Sequence, residues 1–176
     1  VEATKNAGMH ALNEKTRCNE TAEISPHDVK LILDIECQKL AEKTILDYFP
    51  DHTIIGEEGN LDGAESNYEW IIDPIDGTVN YSHRFPHWCC SIAVQYKEKV
   101  LAGAVFAPEL NYMFTATFDG PAKLNNDIIS TSKTDDLSKS LVFTGLNQKN
   151  KNIISPTFNA LKELALSTQK VRITGS

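Results

Sequence analysis

The chain has 176 residues, 17 Lys+Arg against 24 Asp+Glu and a formal net charge of −7. Its hydrophobic content of 41% and charged content of 23% are those of an ordinary globular chain, and 9 Gly with 7 Pro exclude collagen and low-complexity disorder. No apolar run approaches the ~20 residues that span a bilayer, no basic stretch leads into a signal-like core, and the acidic balance argues against a nucleic-acid backbone as partner.

Residues 1–28 are polar and weakly periodic. Val1 to Leu12 reads as the tail of a helix and Asn13 to Pro26 as a loop; the start at Val1 rather than Met implies preceding residues. From Asp34 the pattern turns helical, with Cys37, Leu40, Ala41, Thr44, Ile45 and Tyr48 on one face, and Phe49-Pro50-Asp51 stops it. Thr53-Ile54-Ile55 is a short strand ending at Gly56-Glu57-Glu58-Gly59, and Leu61 to Asn67 is a polar loop. Glu69 to Asp73 reads as a buried strand ended by Pro74, and Thr78 to Arg84 as a short helix. Strand-like runs follow at Trp88–Tyr96, Val100–Phe106, Asn111–Phe118 and Leu141–Thr144, and the connections Lys97-Glu98-Lys99 and Pro108-Glu109-Leu110 are short enough for antiparallel neighbours. Asp119-Gly120 and Asn125-Asn126-Asp127 are turn signals. Ser155-Pro156 suits the opening of a last helix, with Ser as N-cap and Pro at its first position. Gln169 to Thr174 is a final strand. No internal repeat or linker divides the chain. The four cysteines lack zinc-like spacing and read as reduced thiols, Cys89 and Cys90 pointing to opposite faces of a strand.

The chemistry gathers between residues 57 and 78. In Asp73-Pro74-Ile75-Asp76-Gly77-Thr78 an apolar strand delivers one carboxylate, and a proline turn returns a second close to it. Gly77 opens backbone conformations closed to other residues, and Thr78 begins a helix whose free N–H groups favour an anion. Two carboxylates beside an anion site call for a cation between them, and oxygen-only ligands select Mg²⁺. The competing reading is a turn with two capping aspartates. What weighs against it is Glu57-Glu58, which also closes a strand, and Asp34, which follows the apolar Leu31-Ile32-Leu33 run. For Glu58 alone a solvated carboxylate is the simpler reading. Haloacid-dehalogenase-type phosphatases also place two aspartates after an apolar strand, but two positions apart; the separation of three through Pro74-Ile75 sets this chain aside from them.

Trp70-Ile71-Ile72-Asp73-Pro74-Ile75-Asp76-Gly77-Thr78-Val79-Asn80-Tyr81 closely resembles the W-I-I-D-P-I-D-G-T-x-N-[FY] signature of the inositol monophosphatase family. Ile55-Gly56-Glu57-Glu58 looks like that family's G-E-E element. Arg84-Phe85-Pro86 with Ser91-Ile92-Ala93, the Asp28–Asp34 segment, and Val171-Arg172 with Gly175-Ser176 extend the likeness from about residue 28 to the end. The resemblance implies an α+β fold: a layered α/β sandwich with a largely antiparallel sheet and packed helices, of which residues 1–176 would be a single N-terminal portion covering about the first two-thirds.

The resemblance also implies roles. Glu57, Asp73 and the carbonyl of Ile75 would hold a first Mg²⁺, and Asp73 and Asp76 a second. Gly77 and Thr78, beside Ile75 and Asp76, would receive the phosphate. Glu57 and Thr78 would polarise an attacking water, with Asp34 supporting the water network. The implied protein is a Mg²⁺-dependent, Li⁺-sensitive, cytoplasmic phosphomonoesterase, homodimeric at full length, with a small phosphate monoester as partner and neither nucleic acid nor membrane. Inositol 1-phosphate or a related polyol or sugar phosphate is the expected substrate. The alternatives are a non-catalytic metal- and phosphate-binding module, or a member acting on fructose 1,6-bisphosphate or adenosine 3′,5′-bisphosphate. Two departures stand out. Lys30 replaces a Thr, either as a solvated lysine or as a cation reaching toward phosphate. The family's later W-D-x-A-[AG] segment, with a further metal-binding aspartate, has no counterpart in the chain. His83 and His87 read as surface or packing residues, Trp70 and Trp88 as core.

Overall fold

A computed structural model describes residues 1–25, 28–57, 66–146 and 151–174. They form two units, Val1–Ser130 and Thr131–Ser176. The first opens with α1 (Glu2–Asn13), which buries Ala3, Thr4, Ala7, Gly8 and Ala11. A stripe of such small residues carries little hydrophobic signal, which is why the sequence suggests only a helix tail. It does allow close approach: a Cβ on Gly8 would stand 2.7 Å from the Phe106 ring. A one-turn helix at Lys15–Arg17 follows. The stretch expected to be loop then contains β1 (Thr21–Ser25), which pairs antiparallel with β2 (Asp28–Leu31).

α2 (Ile32–Leu46) begins two residues before Asp34, because the Asp34 carboxylate turns back to accept from the Leu31 N–H at 2.9 Å. Its buried face includes Leu33, Cys37, Ala41 and Ile45, as the periodicity predicts. The main sheet has the order β3-β4-β5-β6-β7-β8-β9. Its strands are β3 (Thr53–Gly56), β4 (Tyr68–Asp76), β5 (Cys89–Tyr96), β6 (Lys99–Ala107), β7 (Tyr112–Thr117), β8 (Lys123–Leu124) and β9 (Asp127–Ile128). β3 lies parallel to β4, and every other neighbour is antiparallel. The β8–β9 hairpin turns on Asn125 and Asn126 at φ 48° and 76°, the left-handed pair that a two-residue hairpin loop requires.

The core is one cluster in which α1 and α2 lie against one sheet face: Ala7, Ala11, Leu33, Cys37, Ala41 and Ile45 meet Ile54, Ile72, Cys90 and Ile92. A short helix, α3 (Thr78–Ser82), is pinned by Tyr81, which is fully buried, stacks edge-on against Trp88 at 4.8 Å and donates its hydroxyl to the Ala11 carbonyl at 2.7 Å. Trp70 is half-buried rather than central. Its indole N–H donates to His52 Nδ1 at 2.9 Å, and that imidazole is stacked between Phe49 (4.9 Å) and Tyr68 (4.6 Å). All four cysteines are free thiols.

The second unit pairs β10 (Leu141–Thr144) in parallel with β11 (Lys170–Ile173), the intervening α4 (Lys151–Ser167) making the crossover that parallel strands need. α4 starts before the expected Ser155 cap, so Pro156 lies inside the helix rather than at its first position. Among the described residues no helix is long and apolar enough to cross a membrane.

Two predictions follow from this packing. Gly8→Ala forces a methyl into the buried edge of Phe106, and chemical denaturation should register a loss of about 1–3 kcal/mol. The Glu36 carboxylate is held down to about 2, chiefly by the Arg17 guanidinium and secondarily by His10, with Arg17 bonding it through both terminal nitrogens at 3.1 and 2.9 Å. A depressed carboxylate contributes stability above its unfolded pKa of about 4.3 and loses it as pH falls toward the folded value. Arg17→Met should therefore lower the thermal midpoint at pH 7, by a margin that shrinks steadily as pH falls from about 4 toward 2.

Candidate metal and phosphate site

In a regular strand, residues three apart point to opposite faces. β4 avoids this. The sequence reading ends the strand at Pro74, but it continues through Asp76, with a register irregularity between Asp73 and Asp76. Asp73 pairs with Ser91 and Asp76 with Cys89, so three steps on β4 oppose two on β5. This is a β-bulge, and Pro74 fits it because the bulged segment needs no ladder N–H there. Ser91 and Cys89 share one face, so their partners Asp73 and Asp76 share it too. It is the face away from Ile72, Ile92 and the packed helices. Pro74 and Ile75 are buried, which anchors the bulge in the core.

Glu57 follows the last residue of β3, its N–H donating to the Ile72 carbonyl at 3.1 Å, beside Asp73 in the neighbouring strand. It lies within proton-sharing reach of Asp73. Burial, then the charges of Glu57, Asp76 and Asp34, push the Asp73 carboxyl up to about 8. Its Oδ1 atom is enclosed and has no hydrogen-bond partner. Three carboxylates therefore act on that of Asp73, which has one enclosed oxygen turned to nothing. Cys89 Sγ approaches Asp76 Oδ2 at 3.7 Å, and its thiol is raised to about 12, first by burial and then by Asp76.

Downstream, Gly77 has φ 95°, a left-handed conformation open to glycine, and it lets the chain leave the strand directly into α3. The Thr78 hydroxyl donates to the Ile75 carbonyl at 3.0 Å, drawing the bulge and the helix start together. α3 has five residues, so an anion there would meet individual N–H groups rather than the summed dipole of a long helix. Asn80 closes the next turn through Nδ2 to the His87 carbonyl at 2.8 Å.

The candidate residues Glu57, Asp73, Asp76 and Asp34 thus fall in one electrostatic neighbourhood, with Ile75, Gly77 and Thr78 contiguous to it. Asp34 is buried and also serves as the cap of α2. Glu58 and most of the Leu61–Asn67 loop lie outside the described residues. Lys30 stands on β2 in register with Glu23. His83 is exposed and held by local contacts to Val79 and Ser82. The sequence reading passed over Cys89 as a site neighbour; the adjacent cysteines gave alternation but not the bulge that sets one of them beside Asp76.

Asp73, Asp76, Glu57 and the Ile75 carbonyl form an oxygen-only donor set suited to a hard divalent cation. Among the described residues, no three His, Cys, Asp or Glu side chains already converge as a closed ligand cluster. The orphaned Asp73 oxygen and the mutual carboxylate repulsion are what a cation would relieve.

The chain matches the inositol monophosphatase family over residues 2–176. It is 32% identical over its whole length to the Nus factor SuhB of Vibrio cholerae, spanning 67% of that protein. It is 37% identical to an inositol monophosphatase of Dictyostelium discoideum over 76% of this chain and 51% of that one. Among solved structures, the IMPase of Thermotoga maritima superposes with a TM-score of 0.85 at 27% identity, covering 99% of this chain and 66% of that one. The chain thus spans about half to two-thirds of the length of these relatives.

The raised Asp73 carboxyl yields a prediction with a definite sign. A carboxyl whose folded pKa exceeds its unfolded one stabilises the fold when protonated and opposes it as pH rises toward the folded value. Without divalent cations, the thermal midpoint should fall between about pH 4 and pH 8. Asp73→Asn should flatten that slope, raise the midpoint at pH 8, and abolish any stabilisation by Mg²⁺.

Proposed function

The chain belongs to the inositol monophosphatase family, and on that footing we propose that it carries the metal- and phosphate-binding part of a Mg²⁺-dependent phosphomonoesterase. The observation that supports this most is the bulged Asp73-Pro74-Ile75-Asp76 segment, with two carboxylates on one face and Glu57 beside them. In this reading Glu57, Asp73 and the Ile75 carbonyl would hold one Mg²⁺, and Asp73 and Asp76 a second. When bound, the ions neutralise phosphate charge and make water a competent nucleophile near neutral pH. The chain's own groups do the rest. Gly77 and Thr78 present N–H groups to the phosphate oxygens. Glu57 and Thr78 would orient the attacking water, and Glu57 would take its proton as the new P–O bond forms and the ester P–O bond breaks, the leaving alkoxide taking a proton from solvent. Asp34 tethers α2 to this network. No side-chain nucleophile is required, and no covalent phospho-enzyme forms.

The substrate class is a small phosphate monoester, with inositol 1-phosphate first and a polyol or sugar phosphate next. Li⁺ sensitivity, a cytoplasmic location and a homodimeric whole protein belong to the same proposal, as does the absence of a nucleic-acid partner. The acidic excess of the chain falls within residues 1–130, where a cation-dependent phosphate site can use it and a polyanion cannot. The name Nus factor belongs to the Vibrio relative. A second reading is a module that binds metal and phosphate without turnover.

Mg²⁺ titration of the chain by calorimetry, paired with phosphate release from inositol 1-phosphate, separates the two. Turnover that Glu57→Gln cuts by about 10²–10³-fold supports the enzyme. Mg²⁺ binding without turnover supports the module. A chain that neither binds Mg²⁺ nor hydrolyses any small phosphate monoester, alone or within its whole protein, sinks both.

A further inference from the structure

The strand that delivers Glu57 is braced from behind by a side chain with no assigned role. Gln38 lies one helical turn after Asp34 on α2 and is 5% exposed. Its amide rests on the Gly56 backbone: a Cβ at that glycine would stand 2.2 Å from Nε2, 2.3 Å from Cδ and 2.4 Å from Oε1. A side chain at position 56 would therefore have to push the Gln38 amide out of its place, so the glycine and the glutamine fit each other. The Gln38 amide is itself oriented, because Nε2 donates to Glu42 Oε1 at 2.7 Å and Glu42 is 6% exposed. Asp34, Gln38 and Glu42 thus form a buried polar row along a helix whose other buried residues are apolar, and Gln38 in that row meets the end of β3 where the chain turns out to Glu57.

We propose that Gln38, oriented by Glu42, is a positioning residue for Glu57: it fixes the Gly56–Glu57 peptide against α2, so that the carboxylate is presented beside Asp73. The inference rests on the reading of Glu57 as a metal ligand. A buried polar pair needs a reason to persist, since an apolar pair of the same volume is usually no less stable. Groups that orient a ligand from behind typically matter by 10–100-fold in metal affinity. Gln38 would act on metal binding, with the contacts to the phosphate ester left as they are.

The test uses Mn²⁺ as the probe, with the free ion counted by electron paramagnetic resonance, on the 176-residue chain. Gln38→Met keeps the length and removes the amide. Q38E/E42Q keeps the hydrogen bond with donor and acceptor exchanged. The expected result is about a tenfold loss of Mn²⁺ affinity in Gln38→Met and an affinity at or above wild type in the exchanged pair. Wild-type affinity in Gln38→Met overturns the proposal, and so does an exchanged pair weaker than wild type, since packing alone would then explain the site. If Gln38→Met fails to fold by circular dichroism, the exchanged pair decides by the same criterion. A wild-type chain that binds no Mn²⁺ overturns the site reading itself, an outcome distinct from wild-type binding with indifferent variants.

Discussion

An antiparallel strand pair assigns side chains to faces by counting in twos, and β4 breaks that count once. The extra residue between Asp73 and Asp76 turns a three-residue spacing into a same-face pair, and the rest of the first unit is arranged around that displacement. Pro74 and Ile75 fill the core with what would otherwise be a surface turn. Gly77 lets the chain leave the strand without a loop, and Thr78 ties the exit back to the Ile75 carbonyl. Without the bulge, one carboxylate would point into the helix layer and the pair could not act on one ligand.

Burying a carboxylate and gathering others around it opposes folding, and both effects raise the Asp73 carboxyl. The countervailing stability lies outside the cluster. α1 sits close against the sheet because its buried stripe is made of Ala, Gly and Thr. Tyr81 clamps α3 to α1, and the Arg17–Glu36 contacts join the helix-following turn to α2. These anchors hold the site's backbone from several sides, so the acidic face need not be stable by itself. A division of this kind is common where function demands a locally unfavourable arrangement.

Much of this was legible in the residues, and the failures have physical causes. β3 to β7 are legible as strand-like runs and the D-P-I-D-G-T segment by composition, whereas the two-residue strands β8 and β9 show in the sequence only as turn signals. α1 was understated because small residues pack tightly while registering as weakly hydrophobic. The strand runs past Pro74 because a proline stops a regular ladder but suits a bulge. Pro156 has the character of a helix start but lies within α4, since the helix gains a first turn of its own from Lys151. The local residues named the ligand candidates; the register that unites them, and the glutamine behind Gly56, depend on contacts between segments far apart in sequence.

The neighbouring cysteines of β5 give this architecture a built-in reporter pair. Cys90 points into the helix-covered core and is fully buried, whereas Cys89 faces Asp76 on the opposite side. Two thiols separated by a single peptide bond therefore sample different compartments of the molecule. A thiol-alkylating reagent followed by mass spectrometry of the one peptide would read local opening of the acidic face in Cys89 and global unfolding in Cys90. Each molecule would thus carry its own internal standard for separating motion at the site from loss of the fold.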